Sequence, residues 1–65
     1  MIISVNAARL EVDDQTTVAA LLESLGYPER GIAVALDQTV LPRSAWATTL
    51  PDGAQLDVVT AVQGG

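Results

Sequence analysis

Several hydrophobic rhythms follow one another along this chain. Met1, Ile3 and Val5 are alternate residues and so share one face of an extended segment, which predicts a first strand over residues 1–5. Asn6, Ala7 and Ala8 then supply a turn, since Asn tolerates the left-handed backbone, and residues 9–12 (Arg-Leu-Glu-Val) alternate polar with apolar. The two strands read as a hairpin.

At Val18 the period changes from two to that of a helix. Val18, Leu21, Leu22 and Leu25 fall at i, i+3, i+4 and i+7, which places them on one stripe facing a sheet, with Ala19, Ala20, Glu23 and Ser24 elsewhere. Thr17 is the predicted N-cap, and Asp13 and Asp14 bring negative charge towards the positive end of the helix. Gly26 suits a left-handed C-cap and Pro28 discourages continuation, so the helix is about two turns long. A helix this short is marginal in water and forms here only by burying its stripe.

After a loop over residues 27–31, the run Ile-Ala-Val-Ala-Leu at 32–36 is almost continuously apolar and reads as a central strand covered on most sides. Asp37 and Gln38 predict a turn, residues 39–41 a short strand stopped by Pro42, and residues 43–46 one helical turn. Trp46 is expected to close one end of the core rather than to recognise a partner. Asp52-Gly53 signals a turn into a last strand, Leu56 to Val62, with Leu56 and Val58 inward and Val59 and Ala61 outward. Gln63, Gly64 and Gly65 follow. Two glycines have nothing to pack, so residues 63–65 are expected to be a flexible tail that extends a terminal carboxylate about 10 Å beyond the last paired residue. The order strand, strand, helix, strand, short strand, strand predicts a two-layer α+β fold, a mixed sheet of four to five strands with one main helix across one face. Residues 1–65 are expected to form a single domain.

Composition removes most function classes. The 65 residues hold no Cys, no His and no Lys, so thiolate and imidazole chemistry are absent and apolar packing must hold the fold. Eight acidic residues against three arginines give a net charge of −5, the wrong sign for a phosphate backbone, so no nucleic-acid partner is expected. No apolar run is long enough for a membrane helix, and the start lacks the basic flank of a signal peptide, so the expected location is the cytoplasm, with no membrane partner and a monomer when free. The carboxylates are scattered along the sequence as on a solvated surface, and no catalytic residue or metal ligand set is expected.

The segment Leu41-Pro42-Arg43-Ser44-Ala45-Trp46, then Asp52-Gly53, then Val58-Val59 running to Gly64-Gly65, together with the helix start at Thr17-Val18 and the total length, resembles the sulfur carrier proteins of thiamine biosynthesis, the ThiS family. Pro-Arg alone is a weak signal. Pro-Arg-x-x-Trp combined with a final Gly-Gly is specific. The resemblance implies a ubiquitin-like β-grasp, and a chain that is a protein substrate rather than an enzyme. It implies that an E1-like adenylyltransferase, using ATP, adenylates the Gly65 carboxylate, that a sulfur-delivery protein converts it to a thiocarboxylate, and that thiazole synthase receives the sulfur. The chain itself is then expected to bind no cofactor. Gly64 and Gln63 are the expected tail-recognition residues, and Val59, Ala61 and Val62 the expected docking residues, because exposed apolar residues beside the tail are candidates for contact. Two alternatives stay open: a sulfur carrier for molybdopterin or another sulfur metabolite, and a non-covalent β-grasp interaction module.

Overall fold

The computed structural model describes residues 1–28 and 30–60. Its elements in chain order are β1 (Ile2–Val5), β2 (Ala8–Glu11), α1 (Val18–Ser24), β3 (Ile32–Leu36), β4 (Thr39–Leu41), a single 3₁₀ turn (Arg43–Ala45) and β5 (Gln55–Thr60). The sheet has the order β2-β1-β5-β3-β4. β1 and β5 run parallel, and every other neighbouring pair is antiparallel. This is the mixed sheet and single helix of the β-grasp.

The first hairpin is tighter than the alternation suggests. Val5 pairs with Ala8, so the loop is Asn6 and Ala7 alone, Ala8 belongs to β2, and Val12 lies beyond the strand. Both loop residues have positive φ, 50° and 71°, as a two-residue primed turn demands. The second hairpin repeats this at Asp37 and Gln38, again with φ of 50° and 71°. In each, the side chain of the first loop residue reaches the backbone of β5. Asp37 Oδ1 accepts from Gln55 N–H at 2.9 Å, and Asn6 Oδ1 accepts from Val58 N–H at 2.8 Å. The two hairpins therefore clasp the central strand from either side.

The helix begins where expected: Thr17 Oγ1 accepts from Ala20 N–H at 3.1 Å. Its other leading N–H groups are met by backbone carbonyls of the segment after the 3₁₀ turn, Ala19 N–H by Trp46 O at 2.9 Å and Val18 N–H by Thr48 O at 3.3 Å. No acidic residue lies in the first turn, and Asp14 instead pairs with the amino group of Met1 at 3.4 Å. The expected end also shifts. Leu25 is the C-cap and is 41% exposed, so it leaves the apolar stripe. The chain turns out there because Gly26, at φ 84°, and Tyr27 close the helix with bonds to Glu23 O and Leu22 O, satisfying otherwise orphaned carbonyls.

Val18, Leu21 and Leu22 face Ile3, Val5, Val34, Leu56 and Val58 across the layer, and Trp46, Leu50 and Ala54 complete the buried cluster. Each such aliphatic side chain contributes about 1.5–3 kcal/mol. The structure corrects the placement of Ile32–Leu36. β5, not β3, occupies the middle of the sheet, and within β3 only Val34 is fully buried while Ala33 is exposed. Alanines at 33 and 35 make the strand read as continuously apolar, although the helix covers one face only.

Candidate docking face

The face of the sheet turned away from the helix follows from strand register. On β5, Leu56 is 0% and Val58 7% exposed, so the intervening Asp57 and the following Val59 point outward. Val59 lies opposite Ala33, Asp57 opposite Ala35, and Ala35 opposite Val40. The outcome is an apolar patch of Val59, Ala33, Ala35 and Val40 with one carboxylate set into it. Val59 is 64% and Val40 75% exposed, where burial would normally claim large aliphatic side chains.

Of the docking residues expected from sequence, Val59 is on this face as alternation predicts. Ala61 and Val62 lie outside the described residues, as do Gln63, Gly64 and Gly65. Sequence reasoning missed Val40, Ala33 and Ala35. The large-small alternation Ile-Ala-Val-Ala-Leu was the available signal for the alanines. Nothing in sequence alone places Val40 beside them, since that depends on the register of the second hairpin.

β5 is held along both edges almost to its last described residue. Ile32 pairs with Thr60 on one side. On the other, β1 stops pairing at Val5 opposite Leu56, and Asn6 takes over. Its backbone N–H donates to Leu56 O at 2.9 Å, and its side-chain amide accepts from Val58 N–H at 2.8 Å and donates to Val58 O at 3.3 Å. A side-chain amide thus stands in for the next rung of the ladder. The strand that leads to the Gly-Gly end is thereby fixed in register at Val58, and with it the direction in which Val59 points.

Residues 3–65 match the ThiS family. The chain belongs to the ThiS family. A solved crystal structure of a similar protein, the thiamine biosynthesis protein (ThiS) from Geobacter metallireducens, is 29% identical over 100% of both chains with a TM-score of 0.81. The solution structure of a thiamine biosynthesis protein from the same organism gives 29% identity, 100% coverage of this chain, 88% of the other, and a TM-score of 0.77. No curated protein matches. The family match spans both the outer face described above and the Gly-Gly residues of this ThiS-family chain.

Proposed function

We propose that this chain is a sulfur carrier of thiamine biosynthesis, and that its working group is the carboxylate of Gly65. The observation that carries the reading is the family match extending through Gly64 to Gly65. A carboxylate at neutral pH is a poor electrophile, because it is an anion with no good leaving group, so transfer from it needs activation. A carboxylate oxygen of Gly65 attacks the α-phosphorus of ATP, pyrophosphate leaves, and an acyl adenylate forms. Hydrosulfide supplied by the delivery protein then attacks the acyl carbon, AMP departs with the C–O electron pair, the S–H proton is lost to solvent, and a thiocarboxylate results, ready to pass its sulfur to thiazole synthase.

The ATP belongs to the E1-like activating enzyme, and the chain acts as protein substrate in the cytoplasm. Glycine suits the site because, without a Cβ, the backbone passes a narrow channel and the acyl carbon is open to attack. Gly64 and Gln63 provide backbone for tail recognition. Docking energy comes from the outer face, where Val59 with Ala33, Ala35 and Val40 adjoins β5 on its way to Ala61 and Val62.

Deleting Gly65 tests the proposal. The deletion withdraws the carboxylate by about 3.5 Å, and misplacement of about 1 Å already costs on the order of 100-fold in a positioned reaction. Expected are loss of ATP–pyrophosphate exchange with the cognate activating enzyme, loss of the oxygen-to-sulfur mass change, and an unaltered melt. Undiminished exchange by the truncated chain would falsify the carrier assignment.

A further inference from the structure

The function proposed above does not use the Pro-Arg-x-x-Trp segment, which builds a second feature on the helix side of the sheet. Pro42 starts the 3₁₀ turn in extended conformation, and the turn brings Arg43 over Trp46, with the guanidinium carbon 5.5 Å from the ring centroid. Trp46 is buried at 9% exposure and its carbonyl receives Ala19 N–H at 2.9 Å, so burial and the helix start hold the ring as a platform, with only a long indole contact to Leu41 O at 3.4 Å. Arg43 itself is exposed. The ion pair found among the described residues is that of Met1 with Asp14, which leaves the Arg43 guanidinium without a carboxylate partner among them.

Beside this stack runs a groove of about 410 Å³ between α1 and the 3₁₀ turn. Ala19, Leu22 and Trp46 line its apolar side, Arg43 stands on one wall, and Glu23 and Tyr27 come from the end of the helix and the loop after it. The volume is in the range of sites that take a ligand or a partner's side chains. A guanidinium stacked on an indole has lost much of its freedom already, and its N–H fork suits a carboxylate bidentately.

We infer that this groove is a second docking site, which takes a short carboxylate-bearing segment of a partner protein. The partner's Asp or Glu pairs with Arg43, and an adjoining apolar side chain rests on Ala19, Leu22 and Trp46. The commitment to a carboxylate rests on Arg43 itself, an exposed guanidinium held over Trp46 at the groove and without a carboxylate partner among the described residues; because the chain carries a net −5, the pair gains at contact and not by long-range attraction. Glu23, across the groove, favours a donor or cation elsewhere in the same segment. The site lies on the helix side, so a partner seated there leaves the Val59 face open.

The test needs no carrier chemistry. The ¹⁵N-labelled full chain is titrated with acetyl-Leu-Glu-Leu-amide and with its Gln counterpart, following the Trp46 indole N–H and the Ala19 and Leu22 amides. Saturable shifts are expected at about 1–10 mM for the Glu peptide, as suits a ligand of few contacts. Binding should weaken at least about tenfold with the Gln peptide and in Arg43→Gln, as loss of a charge-assisted pair requires. Arg43→Lys should recover only part of it, while both variants stay folded and melt within about 8 °C of the wild type. Equal shifts from the two peptides, shifts confined to the Val59 face, or no saturable shift overturn the proposal. The same shifts from acetate alone also overturn it, since they would show a bare anion site.

Discussion

Replacing Asn6 with Gly removes a side chain that is exposed yet spans two strands. At φ 50° Gly is free of strain, and the strain relieved roughly offsets the chain entropy added, so the change chiefly removes the amide. Lost are the 2.8 Å bond from Val58 N–H and the weaker 3.3 Å bond to Val58 O. A third contact, to the Tyr27 hydroxyl at 3.4 Å, is too long to count for much. A typical intramolecular hydrogen bond contributes about 0.5–1.5 kcal/mol, and stranding a buried peptide group costs about 1–3 kcal/mol. Val58 is 7% exposed, so water reaches its peptide group poorly, and the expected loss is about 2–3 kcal/mol. Domains have about 0.05–0.15 kcal/mol of stability per residue, and for a chain of 65 residues this loss is a large share of the total. At about 4–8 °C per kcal/mol for domains of this size, Tm should fall by roughly 10–20 °C in a circular-dichroism melt. Asn6→Ala should fall further, by about 0.5–1 kcal/mol, because alanine resists positive φ. Amide exchange at Val58 should quicken in both. A Gly variant melting within about 2 °C of wild type would refute the reasoning, since the Val58 peptide group would then be satisfied without Asn6.

Leu22→Ala, at a site 3% exposed between helix and sheet, should cost about 2–5 kcal/mol, and an unshifted melt would contradict its place in the core. Val59→Asp should change stability by less than about 1 kcal/mol while weakening binding to the activating enzyme, and equal affinity measured by calorimetry would remove Val59 from the docking face. Val40→Asp, 75% exposed on the same patch, should behave alike if the patch acts as one surface. Gln38→Gly relieves a non-glycine residue at φ 71°, worth about 1–2 kcal/mol, against about 0.5–1 kcal/mol of added chain entropy. Tm should therefore rise by a few degrees, on the order of 4 °C, and a fall would show that the Gln38 side chain makes a compensating contact.

Local chemistry alone was enough for several features. Thr17 capping, the stripe Val18, Leu21 and Leu22, the exit at Gly26 and the inward Leu56 and Val58 each depend on residues within a turn or two of one another, so periodicity and capping rules reach them. The absence of His, Cys and Lys likewise excludes imidazole, thiol and amine side-chain chemistry from the sequence alone.

Features that join distant segments were decided only by the fold. Ala33 lies outward because β3 sits second from the sheet edge with the helix on one side, and an apolar run reads the same whether one face or both are covered. Leu25 continues the stripe in sequence, but the cap formed by Gly26 and Tyr27 swings it into solvent. Asn6 reads as a turn residue and no more, because its partner Val58 is 52 positions away. Arg43 and Trp46 form a groove only once the helix is laid beside them. Side-chain period and turn preference are properties of neighbours along the chain, whereas which strand is central, which face stays bare and which amide completes another strand's ladder depend on contacts that exist only when the sheet has assembled.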